Sequence, residues 1–102
     1  MEIKEYIFTH SNGEINSKIS MKDDILHGVK YEYDIYGNLF AETNYKDGKL
    51  HGIQKSYYPN GKKFVVKHYK NNILNGYYTK YNENGKEICK LVYRNNKVIK
   101  EY

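Results

Sequence analysis

After Gly28 the chain alternates: Val29, Tyr31 and Tyr33 fall on one side, Lys30, Glu32 and Asp34 on the other. The segment after Gly76 does the same, with Tyr77, Thr79 and Tyr81 set against Tyr78, Lys80 and Asn82. A period of two is the mark of a half-buried β-strand. Comparable segments of about six to nine residues fill the rest of the chain, a strand length and too short for free-standing helices. Two series of turn signals separate them. One is Asn12-Gly13, Tyr36-Gly37, Asn60-Gly61 and Asn84-Gly85; the other is Asp23-Asp24, Asp47-Gly48, Asn71-Asn72 and Asn95-Asn96. Asn-Gly and Asp-Gly tolerate the positive φ angles of tight hairpin turns.

Both series recur every 24 residues, as Gly13, Gly37, Gly61 and Gly85 illustrate. Gly28, Gly52 and Gly76 keep the same spacing, and so do Tyr33, Tyr57 and Tyr81. Tyr45, Tyr69 and Tyr93 form another column, and Leu26, Leu50, Leu74 and Val98 a further one. Short sequential loops leave no room for crossover helices, and repeats stack only on their neighbours. The pattern therefore predicts an all-β fold: an elongated, twisted single sheet, an antiparallel meander of about nine short strands built from 24-residue β-hairpin repeats. One repeat domain spans 1–102, with a degraded copy at 1–21, copies at 22–45, 46–69 and 70–93, and a half copy at 94–102. The six columnar tyrosines are expected to build the sheet's apolar face. The strand glycines are expected where a cross-strand tyrosine ring lies over bare backbone.

The blocks Asp47-Gly48-Lys49-Leu50-His51-Gly52 and Tyr57-Tyr58-Pro59-Asn60-Gly61-Lys62 resemble the MORN-repeat variant found in many bacterial proteins. Asn75-Gly76-Tyr77-Tyr78, followed by Tyr81 and Asn84-Gly85-Lys86-Glu87, repeats the phrase. The resemblance covers essentially residues 5–102. It departs at the ends, where Lys4 and Thr9 replace the strand Gly and Tyr, and Ile99-Lys100 replaces the His-Gly or Asn-Gly pair. Terminal repeats that cap an array are expected to differ in this way. The resemblance implies a scaffold with many attachments: stand-alone bacterial members are often antitoxin-like or immunity-like, and the family's name implies membrane attachment.

Composition narrows the chemistry. Charged residues make up 28% of the chain, mean hydropathy is -0.91, and the aromatics are 13 Tyr and 3 Phe with no Trp. That is too polar for a large two-layer core, and Tyr suits a thin structure whose side chains meet water. No apolar run approaches the roughly 20 residues of a membrane span, the stretch Met1-Glu2-Ile3-Lys4-Glu5 lacks a signal-peptide core, and one Cys excludes an internal disulfide framework. A cytoplasmic protein is the expectation.

The four histidines do not predict a metal site. His27 and His51 share a column and so lie two strands apart, roughly 9–10 Å, too far to share a zinc. Asp23, Asp24 and Asp47 occupy turn positions that later copies fill with Asn. Gly61-Lys62 and Gly85-Lys86 lack the rest of a phosphate loop. Cys89 follows Ser17, Ala41 and Val65 in a column of small side chains and reads as a buried spacer. No cofactor is implied, and a thin sheet without a deep pocket predicts no enzyme.

Charge is the remaining signal. Residues 1–45 carry four basic and eight acidic side chains, a net of −4, while 46–102 carry thirteen and four, a net of +9. In a solenoid this becomes a dipole along the stack. The expected function is a non-catalytic protein–protein interaction module whose partner presents an acidic surface to Lys55, Lys63, Lys67, Tyr58, Tyr77 and Tyr78. Anionic membrane lipid is the alternative, since surface lysines gain about 1 kcal/mol each there. Single-stranded nucleic acid is a further one, disfavoured because Arg94 is the sole arginine for base reading. Charges at Lys4, Glu5, Lys97, Lys100 and Glu101 guard the two edges, so a monomer or a weak edge-to-edge dimer is expected.

Overall fold

In a computed structural model describing residues 2–102, the chain forms one open antiparallel sheet. Its strands are β1 (Ile3–Thr9), β2 (Ile15–Lys22), β3 (Ile25–Leu26), β4 (Gly28–Tyr33) and β5 (Leu39–Lys46). Then follow β6 (Lys49–Tyr57), β7 (Lys63–Lys70), β8 (Ile73–Tyr81), β9 (Glu87–Arg94) and β10 (Lys97–Glu101). The order along the sheet is β1-β2-β4-β5-β6-β7-β8-β9-β10, strictly sequential, with β3 paired to β2. The sequence expects about nine strands. The tenth arises because the strand that runs unbroken as β6 and β8 is interrupted at His27 in its first full copy.

The two turn series form different turns on opposite long margins of the sheet. In the second series both central residues have positive φ, as at Asp47 (50°) with Gly48 (80°) and Asn71 (49°) with Asn72 (70°). These are two-residue turns closed by pairs such as Lys46↔Lys49 and Lys70↔Ile73, the turn whose twist matches that of the strands. In the first series only the glycine has positive φ. Gly37 N donates to Asp34 O at 3.1 Å and Asp34 N to Asn38 O at 2.9 Å, a three-residue loop that ends in a glycine bulge.

The strand glycines answer to a different cause from the expected one. Gly28, Gly52 and Gly76 have φ of 98°, 94° and 117°. Tyr45, Tyr69 and Tyr93 are their ladder partners, yet no atom of these cross-strand tyrosines lies within 4 Å of where a Cβ would stand. That space belongs to Ser20, Asn44 and His68, with the His68 Cβ 3.2 Å from a Cβ at Gly76. Here Asn44 alone opposes His51, Gly52 and Ile53, because the ladder jumps from Thr43↔Gln54 to Tyr45↔Leu50. The long bulge needs a left-handed residue at its centre. Where Lys100 replaces that glycine, the bulge shrinks to Ile99 alone.

The tyrosine columns also divide differently from the expectation of one apolar face. Tyr45, Tyr69 and Tyr93 share a face with Thr43, Gln54, Lys67 and Tyr78; strand alternation puts Tyr57 and Tyr81 on the other, with Lys55, Val66 and Thr79. A single layer has two faces to cover. Among the described residues no hydrophobic side chain is buried, whereas Ser17, Thr43 and Thr79 are. The molecule measures 41 × 33 × 16 Å.

Candidate interaction surface

Adjacent copies are clasped along both margins. On the two-residue-turn side, Gly48 N, Asn72 N and Asn96 N donate to Leu26 O, Leu50 O and Leu74 O at 2.8, 2.9 and 3.0 Å. Asn72 Oδ1 and Asn96 Oδ1 accept in return from Leu50 N and Leu74 N, both at 2.8 Å. On the other side, the Tyr58 hydroxyl donates to Tyr81 O at 2.8 Å and Asn60 Nδ2 to Glu83 O at 2.9 Å. His10 Nε2 and Asn12 Nδ2 make the matching contacts with Tyr33 O and Ile35 O. The Asp34 turn lacks this clasp toward the turn at Tyr58. Its carboxylate folds back to accept from Tyr36 N and Asn38 N, both at 2.9 Å. The Asn38 backbone donor leads in holding that carboxyl below the usual carboxylate value.

This frame places the six sequence-derived contact residues. A shallow hollow of about 270 Å³ opens on the Tyr69 face, lined by Ala41, Gln54, Lys55, Ser56, Phe64, Val65, Lys67 and Tyr78. It gathers Lys67 and Tyr78; Lys55 borders it from β6, but strand alternation places that residue on the other face with Val66. Tyr58 borders it through Phe64, the two ring centres 4.9 Å apart, but its hydroxyl is committed to the inter-turn clasp. Tyr77 lies on the opposite face, half exposed, with Lys90 Nζ 4.8 Å from its ring centre. Lys63 stands over the Tyr81 ring at 5.0 Å. The six therefore do not form one patch; neighbours such as Tyr77 and Tyr78 must point apart on a strand.

Phe64 and Lys80 fall outside the six sequence-derived contact residues, although the sequence marks Phe64 as a surplus aromatic and Lys80 as part of the basic half. Lys80 Nζ sits 5.5 Å from the Phe64 ring centre, and Lys67 Nζ 5.6 Å from that of Tyr69. Tyr78 packs at 6.0 Å from Tyr93. Phe64 escapes a column search because the repeat aligns it with Phe40 alone. Ammonium groups held over rings keep their charge directed outward from an aromatic floor. Among the described residues only Lys30 brings a lysine within 4.0 Å of a carboxylate, Glu32 at 3.8 Å. The lysines around the hollow carry no such neutralising partner.

The remaining polar candidates have structural contacts. His27 Nδ1 lies 3.9 Å from Asp47 Oδ1, and His68 Nδ1 is 3.0 Å from Tyr77 O. Among the described residues no three His, Cys, Asp or Glu side chains are grouped to hold a metal ion. Cys89, expected as a buried spacer, is only half-buried, because it lies near the sheet's end. Among those residues no helix is long and apolar enough to cross a membrane. Compared with known proteins, the chain matches no family model, no curated protein and no solved structure.

Proposed function

We propose that the protein is a non-catalytic binding module that docks an acidic protein surface on its Tyr69 face, over the hollow between β5 and β8. The observation that carries this reading is the pairing of an aromatic floor, Phe64, Tyr69 and Tyr78, with Lys67 and Lys80, whose charges have no carboxylate partner. Desolvated aromatic anchors supply most of an interface's energy, and an unpaired basic rim speeds encounter with an acidic partner. The sequential strand order supports the second half of the argument, because it lays the −4 and +9 halves at opposite ends of the sheet. The likeness to bacterial MORN repeats adds that the partner of such a rigid module is a toxin to be blocked, in a cytoplasmic, antitoxin-like or immunity-like role.

The test is a pair of charge reversals. Lys67 and Lys80 changed together to Glu should slow association with the captured partner severalfold and flatten its salt dependence, while Tyr78→Ala should speed dissociation by about tenfold or more, the scale of a hot spot. Reversing Lys18, Lys22 and Lys30 should matter little, since Lys30 is already paired with Glu32. Equal losses from both sets would overturn the reading. So would flotation with anionic vesicles, abolished by salt, in the absence of any salt-resistant protein complex.

A further inference from the structure

The two-residue turns carry a basic column, Lys22, Lys46, Lys70 and Arg94, one residue before each pair of positive-φ residues. Strand alternation sets these side chains on the face opposite Tyr45, Tyr69 and Tyr93. Successive members lie two strands, about 10 Å, apart. Between the last two turns a hollow of about 410 Å³ opens, lined by Lys70, Asn71, Ile73, Asn75, Arg94 and Asn95. Its size falls within the range of small-molecule sites, about 300–1,000 Å³. It lies away from the Tyr69 face, so the site is independent of the partner-binding reading.

The lining brings two cations and three carboxamides together without a carboxylate. Asn72 and Asn96 of the same turns are committed to the clasps between copies. The side chains of Asn71, Asn75 and Asn95 are exposed and make no hydrogen bond to the described residues. Neither Lys70 nor Arg94 has a carboxylate within 4.0 Å among those residues. Lys97, directly opposite Arg94 across its turn, adds a like charge that costs stability unless an anion answers it. The first full copy shows what this place accepts. Two periods earlier the same positions are Lys22, Asp23, Ile25, His27, Lys46 and Asp47. There the chain supplies its own anion: the Asp47 carboxylate stands 3.9 Å from His27 Nδ1, and Asp47 N donates to that nitrogen at 3.4 Å. One period on, Asp47 still stands where Asn71 does here. In the last place Asn95 and Asn75 replace the Asp47 and His27 pair, so both flanking cations are kept while every internal carboxylate is gone.

We infer that this hollow binds a phosphate group, as the free ion or as a small phosphomonoester. Lys70 and Arg94 bring two positive charges, which match the charge of about −1.5 to −2 that a phosphomonoester carries at pH 7. A guanidinium can grip two phosphate oxygens side by side. Lys70 and the amide N–H groups of Asn71, Asn75 and Asn95 are left for the third. A carboxylate, with one charge and two oxygens, would leave a cation and the amides unanswered. Ile73, 37% exposed, adds an apolar wall for the organic part of an ester.

Titration of the isotope-labelled protein, followed by NMR, tests the site. Inorganic phosphate should give saturable shifts in the side-chain amides of Asn71, Asn75 and Asn95 and in the Arg94 Nε–H. Dimethyl phosphate and acetate, with a single charge each, should bind about tenfold more weakly, the scale of one lost charge-assisted hydrogen bond. Asn95→Asp restores the carboxylate of the earlier copy without straining the turn, since Asp47 and Asn95 hold φ of 50° and 51°. It should weaken phosphate by about tenfold or more, and so should Arg94→Gln. Lys22→Gln, at the place that Asp47 fills, should change nothing. Phosphoserine and a nucleoside monophosphate identify the source: affinities equal to that of phosphate mean the free ion, and tighter binding of one ester means that ester. The proposal fails if the shifts do not saturate or if acetate binds as well as phosphate. It also fails if Asn95→Asp and Arg94→Gln leave binding intact while the remaining resonances show an unchanged fold.

Discussion

Gly61 and Gly76 both hold a positive φ, but a side chain would meet different surroundings at each. Beside Gly61, at 86°, there is nothing within 4 Å of a Cβ, so substitution there costs conformational strain alone. Gly61→Val should destabilise by about 1–3 kcal/mol, the scale of a β-branched residue forced into left-handed backbone. A loss below about 0.5 kcal/mol, that of an ordinary surface change, would contradict the loop. Gly76→Ala should cost more than Gly61→Ala, because its Cβ would also press on that of His68 at 3.2 Å; chemical denaturation of the two alanine variants ranks them. Titration gives a second residue-scale check. Burial, then the hydrogen bond to Glu42 at 3.0 Å, pushes the Tyr57 hydroxyl up to about 12 from 10.0. A raised value means the protonated form is favoured by the fold, so this contribution is whole below pH 10.0 and is lost as pH climbs through about 12. Urea midpoints across that window should fall more steeply for the wild type than for Tyr57→Phe. Asp34 has the opposite sign: its contribution is present above its ordinary 3.8 and lost as pH falls through its depressed value. Asp34→Asn should keep the turn, as Asn82 does in accepting from Asn84 N and Lys86 N, and remove that acid dependence.

The hairpin is the unit that the turns and the clasps between copies define. Asn72 carries an acceptor to Leu50 N in the preceding copy. Asn72→Ala should therefore cost about 1–2 kcal/mol through the lost bond and the poorer fit of Ala at positive φ, whereas Asn72→Asp keeps an acceptor and should cost less; calorimetry on both variants checks the order. At this scale, what the sequence disclosed and what it withheld separate cleanly. The strand alternation, the two turn series and the meander were legible because periods of two and 24 residues are local patterns. The clasps were not. Asn71 and Asn72 look alike as turn residues, and only the stacking of neighbouring turns decides that the second reaches across. The same applies to the candidate surface: surplus aromatics and the charge split pointed to Tyr78 and Lys67, but Phe64 and Lys80 became partners through a register shift between Ser56 and Tyr57 on β6.

The whole molecule is a thin plate with a charge gradient from one end to the other. Its thickness of 16 Å has a further consequence. The folded chain exposes 6945 Å², against about 6,100 Å² for a compact protein of its mass, so unfolding uncovers less new apolar surface. The heat-capacity change should therefore fall below the usual ~12–15 cal/mol/K per residue, and the urea m-value with it. Values at or above that range from calorimetry would mean the sheet buries more than one layer can. A small heat-capacity change flattens the stability curve. Such a protein would have modest stability that changes little between cold and warmth, because no hydrophobic interior is there to strengthen or fade with temperature.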